Sequence, residues 1–406
     1  MGFVEADPFR SLRPFRTKLF CAPGCFSLTC PLTRAVRPLL RSGGPALAEI
    51  AVGLIGFGLA GRAFHAPVIR AVAGLGLLAI LDRSGSGAAE AYPDVRVVRS
   101  LEEMLAMPEI RLVVVATPNE SHYELARRAM EAGREVVVDK PFTPTMEEAI
   151  ALVHFARDHK RLLTVYQNRR FDGDFQALCD LVKAGKLGRI VRFECSFDRY
   201  RPKPKEQAWR EQARPGAGIL FDLGPHLIDY ALVLFGLPDA ITADVRAERD
   251  GAVVDDSFDI TFHYGNGMRA VLRSTMLAAR PRPRFLVHGT RASFFKQGFD
   301  PQEMNLRSGR IPAAGPWGAE SEARWGLLTA SEGDGFVEER IAPAQCDFRN
   351  YYQNVRDTML GTAQLAVTPE WALDVMQALL LARESSERRT TIRWRAAEPR
   401  SSEATV

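Results

Sequence analysis

The sequence predicts an α/β domain built on a parallel sheet, followed by an α+β domain whose sheet is open and mainly antiparallel. From residue 50 to about residue 165, short continuous apolar runs alternate with segments of helical period, which is typical of strands covered on both faces by helices. Beyond Asp174 this alternation ends and strand patterns dominate. The chain has 406 residues, 46% of them hydrophobic, which suits two cores better than one.

The first domain takes its strands from six apolar runs, at residues 50–55, 75–81, 95–98, 112–116, 136–138 and 162–165. Helices between the runs are predicted to begin near Ala60, Leu101, Ser121 and Thr145. Thr145 and Glu148 have the spacing of a capping box, and Gly133 is a suitable C-cap for the third helix. These elements predict a domain over residues 49–170.

The second domain is predicted over residues 171–395 and is richer in strands. Its predicted elements are a helix ending at Gly185, a strand at 190–197, a helix at 225–235, strands at 255–264, 268–276, 285–288 and 292–296, and helices at 348–360 and 368–386. Gly265-Asn266-Gly267 indicates a hairpin, since asparagine and glycine tolerate the positive φ of such turns. Residues 300–334 have a loop-like composition, and we expect the last helix to pack back on the first domain.

Residues 1–48 and 396–406 are predicted to be disordered extensions. The first of them holds six arginines and no acidic residue between Asp7 and Glu49. This composition resembles an organellar transit peptide, but Glu5, Asp7 and the lack of an amphipathic stripe argue against one. A dispensable tail, or a start codon placed too far upstream, is the favoured interpretation.

The composition predicts a soluble, cytoplasmic protein with a small-molecule partner. Basic and acidic residues nearly cancel, 53 against 49, so no field of one sign attracts nucleic acid or an anionic membrane. Arg, Asp, Glu or Gly interrupts every apolar stretch before the roughly 20 residues that cross a bilayer. Six cysteines are too few for a disulfide scaffold, and no Cys/His set has the spacing of metal ligands.

A glycine-rich motif of the form GxGxxG follows the first predicted strand and opens the first helix. It is Gly56-Phe57-Gly58-Leu59-Ala60-Gly61. In this context the first glycine permits a tight turn, the second lets the backbone approach a pyrophosphate, and the third allows close packing of helix on strand. The motif predicts a Rossmann site for a dinucleotide.

The end of the second apolar run bears on which dinucleotide binds. Asp82 lies about 20 residues beyond the motif, where a carboxylate accepts hydrogen bonds from the adenosine ribose, and this favours NAD. The adjacent Arg83 could stack on adenine or neutralise a 2′-phosphate. NADP therefore stays open.

Four stretches together resemble the Gfo/Idh/MocA oxidoreductases, a family that includes glucose–fructose oxidoreductase and inositol dehydrogenase. They are the glycine motif with Phe64-His65-Ala66-Pro67, Thr117-Pro118-Asn119 with His122, Asp139-Lys140-Pro141-Phe142, and Asp222-Leu223-Gly224-Pro225-His226. The resemblance runs from Ile50 to about Trp394 and is closest to the scyllo-inositol dehydrogenase branch. The family pattern has glutamate where this chain has Asp139, a shorter acid before the same lysine.

The resemblance implies hydride transfer between a polyol or sugar hydroxyl and NAD(P). Lys140 would polarise the oxygen that becomes a carbonyl, His226 would take the hydroxyl proton, and Asp222 would orient and charge the site. Independently of the family, Lys140 follows a buried strand at its carboxyl end, where open α/β sheets bind ligands. The four-residue spacing lets Asp222 and His226 converge on one helical face, or at a helix mouth begun by Pro225.

The resemblance also implies further contacts. Cofactor contacts are expected from the glycine motif, Asp82, Arg83, Thr117, Pro118, Asn119, His122 and Lys140. A helix N-cap is the plain alternative for Asn119. Substrate contacts are expected from Lys140, Asn168, Arg169, Asp222 and His226. The loop 198–214, which carries Arg210, is equally well a lid or a solvated surface loop.

Two other functions fit the same sequence. A glycosidase that keeps NAD bound and oxidises its substrate transiently would turn over without net cofactor reduction. A catalytically silent sensor would retain only the nucleotide site, and the intact Lys140, Asp222 and His226 count against it. The open second sheet and the pairing of relatives through that face predict a homodimer or homotetramer.

Overall fold

The computed structural model describes residues 50–85, 87–205, 208–312 and 317–395. The extensions predicted at residues 1–48 and 396–406 lie outside the described residues. In the described ranges, no helix combines the length and the apolar character that a membrane crossing requires. The domain limits at residues 49–170 and 171–395 stay a prediction.

Six parallel strands of the described chain form the first sheet, in the order β3-β2-β1-β4-β5-β6. Their bounds are β1 Ile50–Ile55, β2 Leu75–Leu81, β3 Arg96–Val98, β4 Ile110–Val115, β5 Glu135–Val138 and β6 Leu163–Val165. Every residue of β4 except Arg111 is buried, because helices cover both faces of the sheet. The predicted α/β architecture is confirmed.

The helices between these strands begin close to the predicted points, except α2, which was not predicted. They are a π-helical turn Ala60–His65, α1 Ala66–Arg70, α2 Ala88–Ala91, α3 Leu101–Leu105, a 3-10 turn Asn119–Ser121, α4 His122–Glu131 and α5 Met146–Asp158. Thr145 caps α5, since its hydroxyl accepts a hydrogen bond from the Glu148 N–H at 3.3 Å. Gly133, with φ 77°, follows α4.

The second sheet contains nine strands of the described chain, in the order β14-β13-β12-β11-β7-β10-β9-β8-β15. Their bounds are β7 Ile190–Ser196, β8 Ala240–Arg246, β9 Ser257–His263, β10 Arg269–Thr275, β11 Phe285–Gly289, β12 Ala292–Lys296, β13 Gly326–Glu332, β14 Gly335–Ile341 and β15 Ile392–Arg393. The pair β7–β10 is parallel and the other pairs are antiparallel. The mainly antiparallel sheet and the β9–β10 hairpin are therefore confirmed.

The second half also contains helices. They are a 3-10 turn Asn168–Phe171, α6 Gly173–Lys183, a 3-10 turn Trp209–Glu211, α7 Ile219–Phe235, α8 Gln302–Arg307, a 3-10 turn Glu322–Arg324, α9 Arg349–Met359 and α10 Pro369–Arg388. Of these, α7 and α10 pack on this sheet. The last helix, α10, contacts α7 and β8 and also α5 and β6. Gly224 lets α10 approach α7, because a Cβ atom there would lie 2.9 Å from Leu379 Cδ2.

Three expectations about the second half were wrong. Helix α7 begins at Ile219, well before the predicted start at Pro225, which lies inside the helix. Residues 300–334 contain α8 and β13 rather than only loop. The strands β8, β14 and β15 were not predicted; β14 is an edge strand that is mostly exposed, so burial imposes no apolar pattern on its sequence.

Candidate active site

The glycine motif forms the turn between β1 and the π-helical turn Ala60–His65. Gly56 has φ 96°, and a Cβ atom there would lie 2.6 Å from the carbonyl oxygen of Ala116. A Cβ atom at Gly61 would lie 2.0 Å from the carbonyl oxygen of Gly56. Only glycine fits these two positions, which hold the turn close against the ends of β1 and β4.

Gly58 is the open position of the motif. No atom of the described residues lies within 4 Å of a Cβ atom built on it, and the neighbouring Leu59 is 43% exposed. The backbone of this turn is therefore free to be approached by a phosphate group at the start of a helix, where N–H groups face outward. The residues of the motif fit the pyrophosphate of a dinucleotide.

Asp82 follows β2 as predicted, but its carboxylate accepts hydrogen bonds from residues of the loop that follows β2. The residue is 3% exposed. Its Oδ2 accepts a hydrogen bond from the Ala88 N–H at 3.4 Å, and its Oδ1 accepts one from the Ser84 hydroxyl at 3.2 Å. The exposed Arg83 lies beside it, and the Arg99 guanidinium donates to the Asp82 carbonyl oxygen. The loop thus presents arginine side chains at its surface.

The turn after β4, residues 117–119, is covered by the loop that precedes α7. The Asn119 amide donates a hydrogen bond to the Gly216 carbonyl oxygen at 3.2 Å, and Asn119 is 2% exposed. Thr117 Oγ1 lies 2.7 Å from Ser121 Oγ, and Pro118 comes directly before the 3-10 turn. The cofactor contacts of these residues stay predictions.

His122 ties the same turn to the segment after β5. Its Nε2 lies 2.9 Å from the Thr117 carbonyl oxygen, and its Nδ1 lies 3.1 Å from the Pro141 carbonyl oxygen. Burial lowers the pKa of His122 below its ordinary value. Because both ring nitrogens face backbone carbonyls, we assign His122 to holding the crevice in shape, and its predicted direct contact with the cofactor stays untested.

Lys140 follows β5 and precedes a cis Lys140–Pro141 peptide. The preceding Asp139 is buried, and its Oδ1 accepts the Lys140 N–H at 2.8 Å. The fully buried His65 places Nε2 3.7 Å from the same oxygen and Nδ1 2.6 Å from the Tyr352 hydroxyl. Burial favours a raised pKa for Asp139, but His65 and Lys140 hold that pKa below its ordinary value. The shorter acid of this chain is thus an anion held beside Lys140 by a histidine from the helix that follows the glycine motif.

Lys140 contacts Asp222 across the crevice between the two sheets. Its Nζ donates to the Asp222 carbonyl oxygen at 2.5 Å and to Oδ1 at 3.1 Å. Asp222 lies in the first turn of α7, which the Asp255 carboxylate caps by accepting the Leu220 N–H at 2.8 Å. His226 lies one turn further along α7. The structure therefore brings Lys140 and Asp222 into contact, with His226 on the same stretch of helix.

His226 is 5% exposed and uncharged near neutral pH. Burial, followed by the charges of Lys140 and Arg169, lowers the pKa of His226 well below its ordinary value of 6.5. Its Nδ1 is buried and has no hydrogen-bond partner within the described residues. A neutral imidazole accepts protons, so His226 can act as a base.

Asn168 and Arg169 leave the end of β6 in the 3-10 turn Asn168–Phe171. They are 9% and 6% exposed. Arg169 is 3.4 Å from Asp172 Oδ2, and its other terminal nitrogen is paired with Glu303 of α8. Arg169 therefore meets two carboxylates already, and a contact of either residue with substrate stays a prediction.

Three charged residues that complete the site were not assigned to it from the sequence. Arg210 Nε lies 3.2 Å from Asp222 Oδ1, and Arg199 lies 3.9 Å from Asp222 Oδ2. Together with Lys140 they outweigh burial, so the pKa of Asp222 lies below its ordinary value and the carboxylate is charged. Glu303 pairs with Arg169 on the opposite side. No group of three or more His, Cys, Asp or Glu side chains among the described residues could hold a metal ion.

Two family models match the chain. Residues 50–167 match the oxidoreductase family with an NAD-binding Rossmann fold, and residues 175–295 match the GFO/IDH/MocA C-terminal domain. The first match covers the parallel sheet, the glycine motif and Lys140. The second covers Asp222, His226 and the strands β7–β12.

Known proteins match over most of the chain. The oxidoreductase YdgJ of Escherichia coli is 41% identical over 85% of this chain and 98% of its own length. The scyllo-inositol 2-dehydrogenase (NADP(+)) IolW of Bacillus subtilis is 37% identical over 84% of this chain and 95% of its own length. The structure of the oxidoreductase YPO2259 of Yersinia pestis has a TM-score of 0.82 and 40% identity, over 88% of this chain and all of that one. With the crevice between the sheets, these matches establish that the chain is an NAD(P)-binding oxidoreductase of the Gfo/Idh/MocA family.

Proposed function

We propose that this protein transfers hydride between a polyol hydroxyl and the nicotinamide of NAD(P), with Lys140, Asp222 and His226 as the catalytic residues. The observation that carries the proposal is the contact of the Lys140 ammonium with Asp222 at the carboxyl end of β5, one helical turn from a neutral His226. A cation, a fixed anion and a base are the groups that oxidation of an alcohol requires.

Each residue has a distinct role in the proposed reaction. Bound NAD(P) supplies the hydride acceptor. His226 accepts the hydroxyl proton at Nε2, because its Nδ1 is buried. Lys140 donates a hydrogen bond to the same oxygen as it becomes a carbonyl, and Asp222 holds the ammonium in position. Asn168 offers an amide for a neighbouring hydroxyl of the substrate.

The name of the relative IolW supports a polyol substrate. The likeness covers 84% of this chain and 95% of that protein, at 37% identity. Polyols are therefore the first substrates to assay with this protein.

We further propose that NADP is the preferred cofactor. The sequence favoured NAD because Asp82 is an acid, but this acid is 3% exposed and accepts hydrogen bonds from Ala88 and Ser84 within its own loop. The exposed Arg83 and the neighbouring Arg99 supply positive charge where the adenosine 2′-substituent is expected. IolW is named as an NADP(+) enzyme, which agrees with this choice.

The second sheet is proposed to mediate a homodimer or homotetramer. Its strand β9 alternates between buried and half-buried residues, so one face of the strand is turned away from the core. Light scattering tests this directly, and a monomer at micromolar concentration contradicts it.

Absorbance of reduced nicotinamide tests the catalytic proposal. Wild type is incubated with NAD or NADP and a panel of polyols, in parallel with Lys140→Ala and with Lys186→Ala, an exposed lysine outside the site. We expect the wild type and Lys186→Ala to reduce the cofactor and Lys140→Ala to fail to do so. Turnover of glycosides without net reduction would replace the proposal with an NAD-dependent glycosidase, and cofactor binding without any turnover would replace it with a sensor.

The cofactor proposal has its own test. We expect kcat/KM to be higher with NADP than with NAD, and Arg83→Ala to lower the NADP value by about tenfold, the weight of one partly exposed charge-assisted contact. Arg111→Ala, another exposed arginine, serves as the matched control. An equal effect of Arg83→Ala on both cofactors would contradict the proposal.

A further inference from the structure

Three cations of the crevice converge on a single carboxylate beside the proposed catalytic residues. Lys140, Arg199 and Arg210 all approach Asp222, while Asp139 accepts the backbone N–H of Lys140 and lies beside His65. His226 is neutral, as burial and the cations around it lower its pKa. Among the described residues, Asp222 is the one carboxylate within 4 Å of the Arg199 and Arg210 guanidinium groups.

The three cations lie at different distances from the carboxylate of Asp222. Lys140 lies 3.1 Å from its Oδ1, Arg210 lies 3.2 Å from the same oxygen, and Arg199 lies 3.9 Å from Oδ2. A fourth cation, Arg169, is paired with both Asp172 and Glu303. Lys140 also donates a hydrogen bond to the Asp222 carbonyl oxygen, so Arg199 and Arg210 have fewer hydrogen-bond acceptors than Lys140.

Arg199 is the less satisfied of these two arginines. Its side chain is 22% exposed, and the 3.9 Å approach to Asp222 is too long for a hydrogen bond. Burial lowers the pKa of Arg199, although Asp222 and Glu303 act in the opposite direction. Enclosing a guanidinium in this state costs free energy, which a bound anion would recover.

Arg210 is held in place from a loop that is firmly anchored. Its guanidinium lies 4.6 Å from the centre of the Trp209 ring. The next residue, Glu211, is paired at 3.3 Å with Arg249, which is buried and also bonded to Asp256 at 2.8 Å. A preorganised guanidinium of this kind suits recognition of a planar or tetrahedral oxyanion.

We propose that Arg199 and Arg210 form an anion subsite beside Asp222, and that the polyol substrate carries a carboxylate or phosphate group that binds there. The inference rests on the proposed polyol oxidation and names its substrate class. Both kinds of group present paired oxygens to guanidinium N–H donors, and either would give Arg199 and Arg210 an anionic partner besides Asp222.

Steady-state kinetics on three substrate classes test the proposal. Neutral inositols and hexoses are compared with aldonates and uronates, and with sugar phosphates, at a fixed saturating cofactor concentration. We expect one acidic class to exceed the neutral class in kcat/KM by about 10- to 100-fold, the effect of a charge-assisted hydrogen-bonded pair. The preferred class then distinguishes carboxylate from phosphate.

Two variants link the preference to the arginines. Arg199→Gln and Arg210→Gln are expected to raise KM for the acidic substrate by about tenfold or more and to reduce the preference over neutral polyols. Arg214→Gln is the matched control, since Arg214 lies in the same loop, is 47% exposed and pairs with Glu120 at 3.7 Å. Arg199→Lys keeps the positive charge but loses the paired N–H donors of the guanidinium, and it is used if Arg199→Gln does not fold. Circular dichroism checks the folding of each variant.

Three results would overturn the subsite. Equal kcat/KM for neutral and acidic substrates, together with wild-type activity that does not change with salt concentration, would overturn the subsite. The proposed oxidation would still stand. A rise in cofactor KM rather than substrate KM in both variants would assign the arginines to a cofactor phosphate. Failure of every class to reduce either cofactor would overturn the oxidation and the subsite together.

Discussion

Replacement of His226 by asparagine removes the proposed proton acceptor while keeping a polar side chain of smaller volume on α7. His226 is 5% exposed, with a buried Nδ1 that lacks a partner within the described residues, so no hydrogen bond of that nitrogen is lost. The change therefore removes the proposed proton acceptor without breaking a hydrogen bond of that nitrogen.

The expected loss in kcat is about 10²- to 10⁴-fold, the usual contribution of a positioned acid or base. Because burial and the nearby cations lower the pKa of His226, wild type keeps a neutral imidazole down to pH values below 6.5. Wild-type kcat/KM for alcohol oxidation then falls as pH drops through that lowered pKa, and the asparagine variant lacks this acid limb.

The assay is initial-rate oxidation from pH 5 to pH 9, monitored through reduced nicotinamide, with substrate KM determined at each pH. His159→Asn, an exposed histidine at the end of α5, is the control and should keep wild-type rates. A His226→Asn enzyme with wild-type kcat, or with an unchanged acid limb, would refute the assignment of His226 as the base.

Three further predictions follow from the geometry. Gly58→Ala should fold normally but bind cofactor about tenfold more weakly, because its Cβ atom enters the open phosphate position. Gly61→Ala should lose thermal stability as well, because its Cβ atom would lie 2.0 Å from the carbonyl oxygen of Gly56. Equal melting temperatures of the two variants would contradict this. Asp229→Asn should lower the free energy of unfolding in urea by about 3–5 kcal/mol, because the buried Arg170, whose Nε lies 3.0 Å from Asp229 Oδ2, loses its carboxylate partner. A decrease of less than about 1 kcal/mol would contradict this. The pKa of buried His122 is lowered, so the unfolded state binds more protons below pH 6.5 and the melting temperature should fall from pH 7 to pH 5; a rise would contradict the sign.

The first sheet could be predicted from the sequence because its strands are buried on both faces. Each strand is then a continuous apolar run, and the helices between the strands begin at local signals such as the Thr145 cap. Helix α7 shows the opposite case. Its first turn is capped by Asp255, which lies 35 residues beyond the capped Leu220, so the start at Ile219 depends on a distant part of the chain.

The candidate site was predicted where a motif carries the chemistry. The glycine motif is recognisable from its spacing, and Lys140 and Asp222 were assigned through the resemblance to the family. The structure places these two side chains in contact. Arg199 and Glu303 were missed because only the fold brings them to the crevice, the first from a charged loop and the second from a segment without a clear helical pattern. Asp82 shows that a residue at the expected position can direct its side chain into its own loop.

Transfer of deuterium from a polyol to the nicotinamide tests the central claim most directly. The protein is incubated with NADP or NAD and with polyols of each substrate class deuterated at their carbinol carbons, and the reduced cofactor is analysed by mass spectrometry. The account predicts one deuterium per reduced cofactor with wild type and none above background with Lys140→Ala. Polyol oxidation that leaves the cofactor unlabelled, or no oxidation of any polyol, would contradict it.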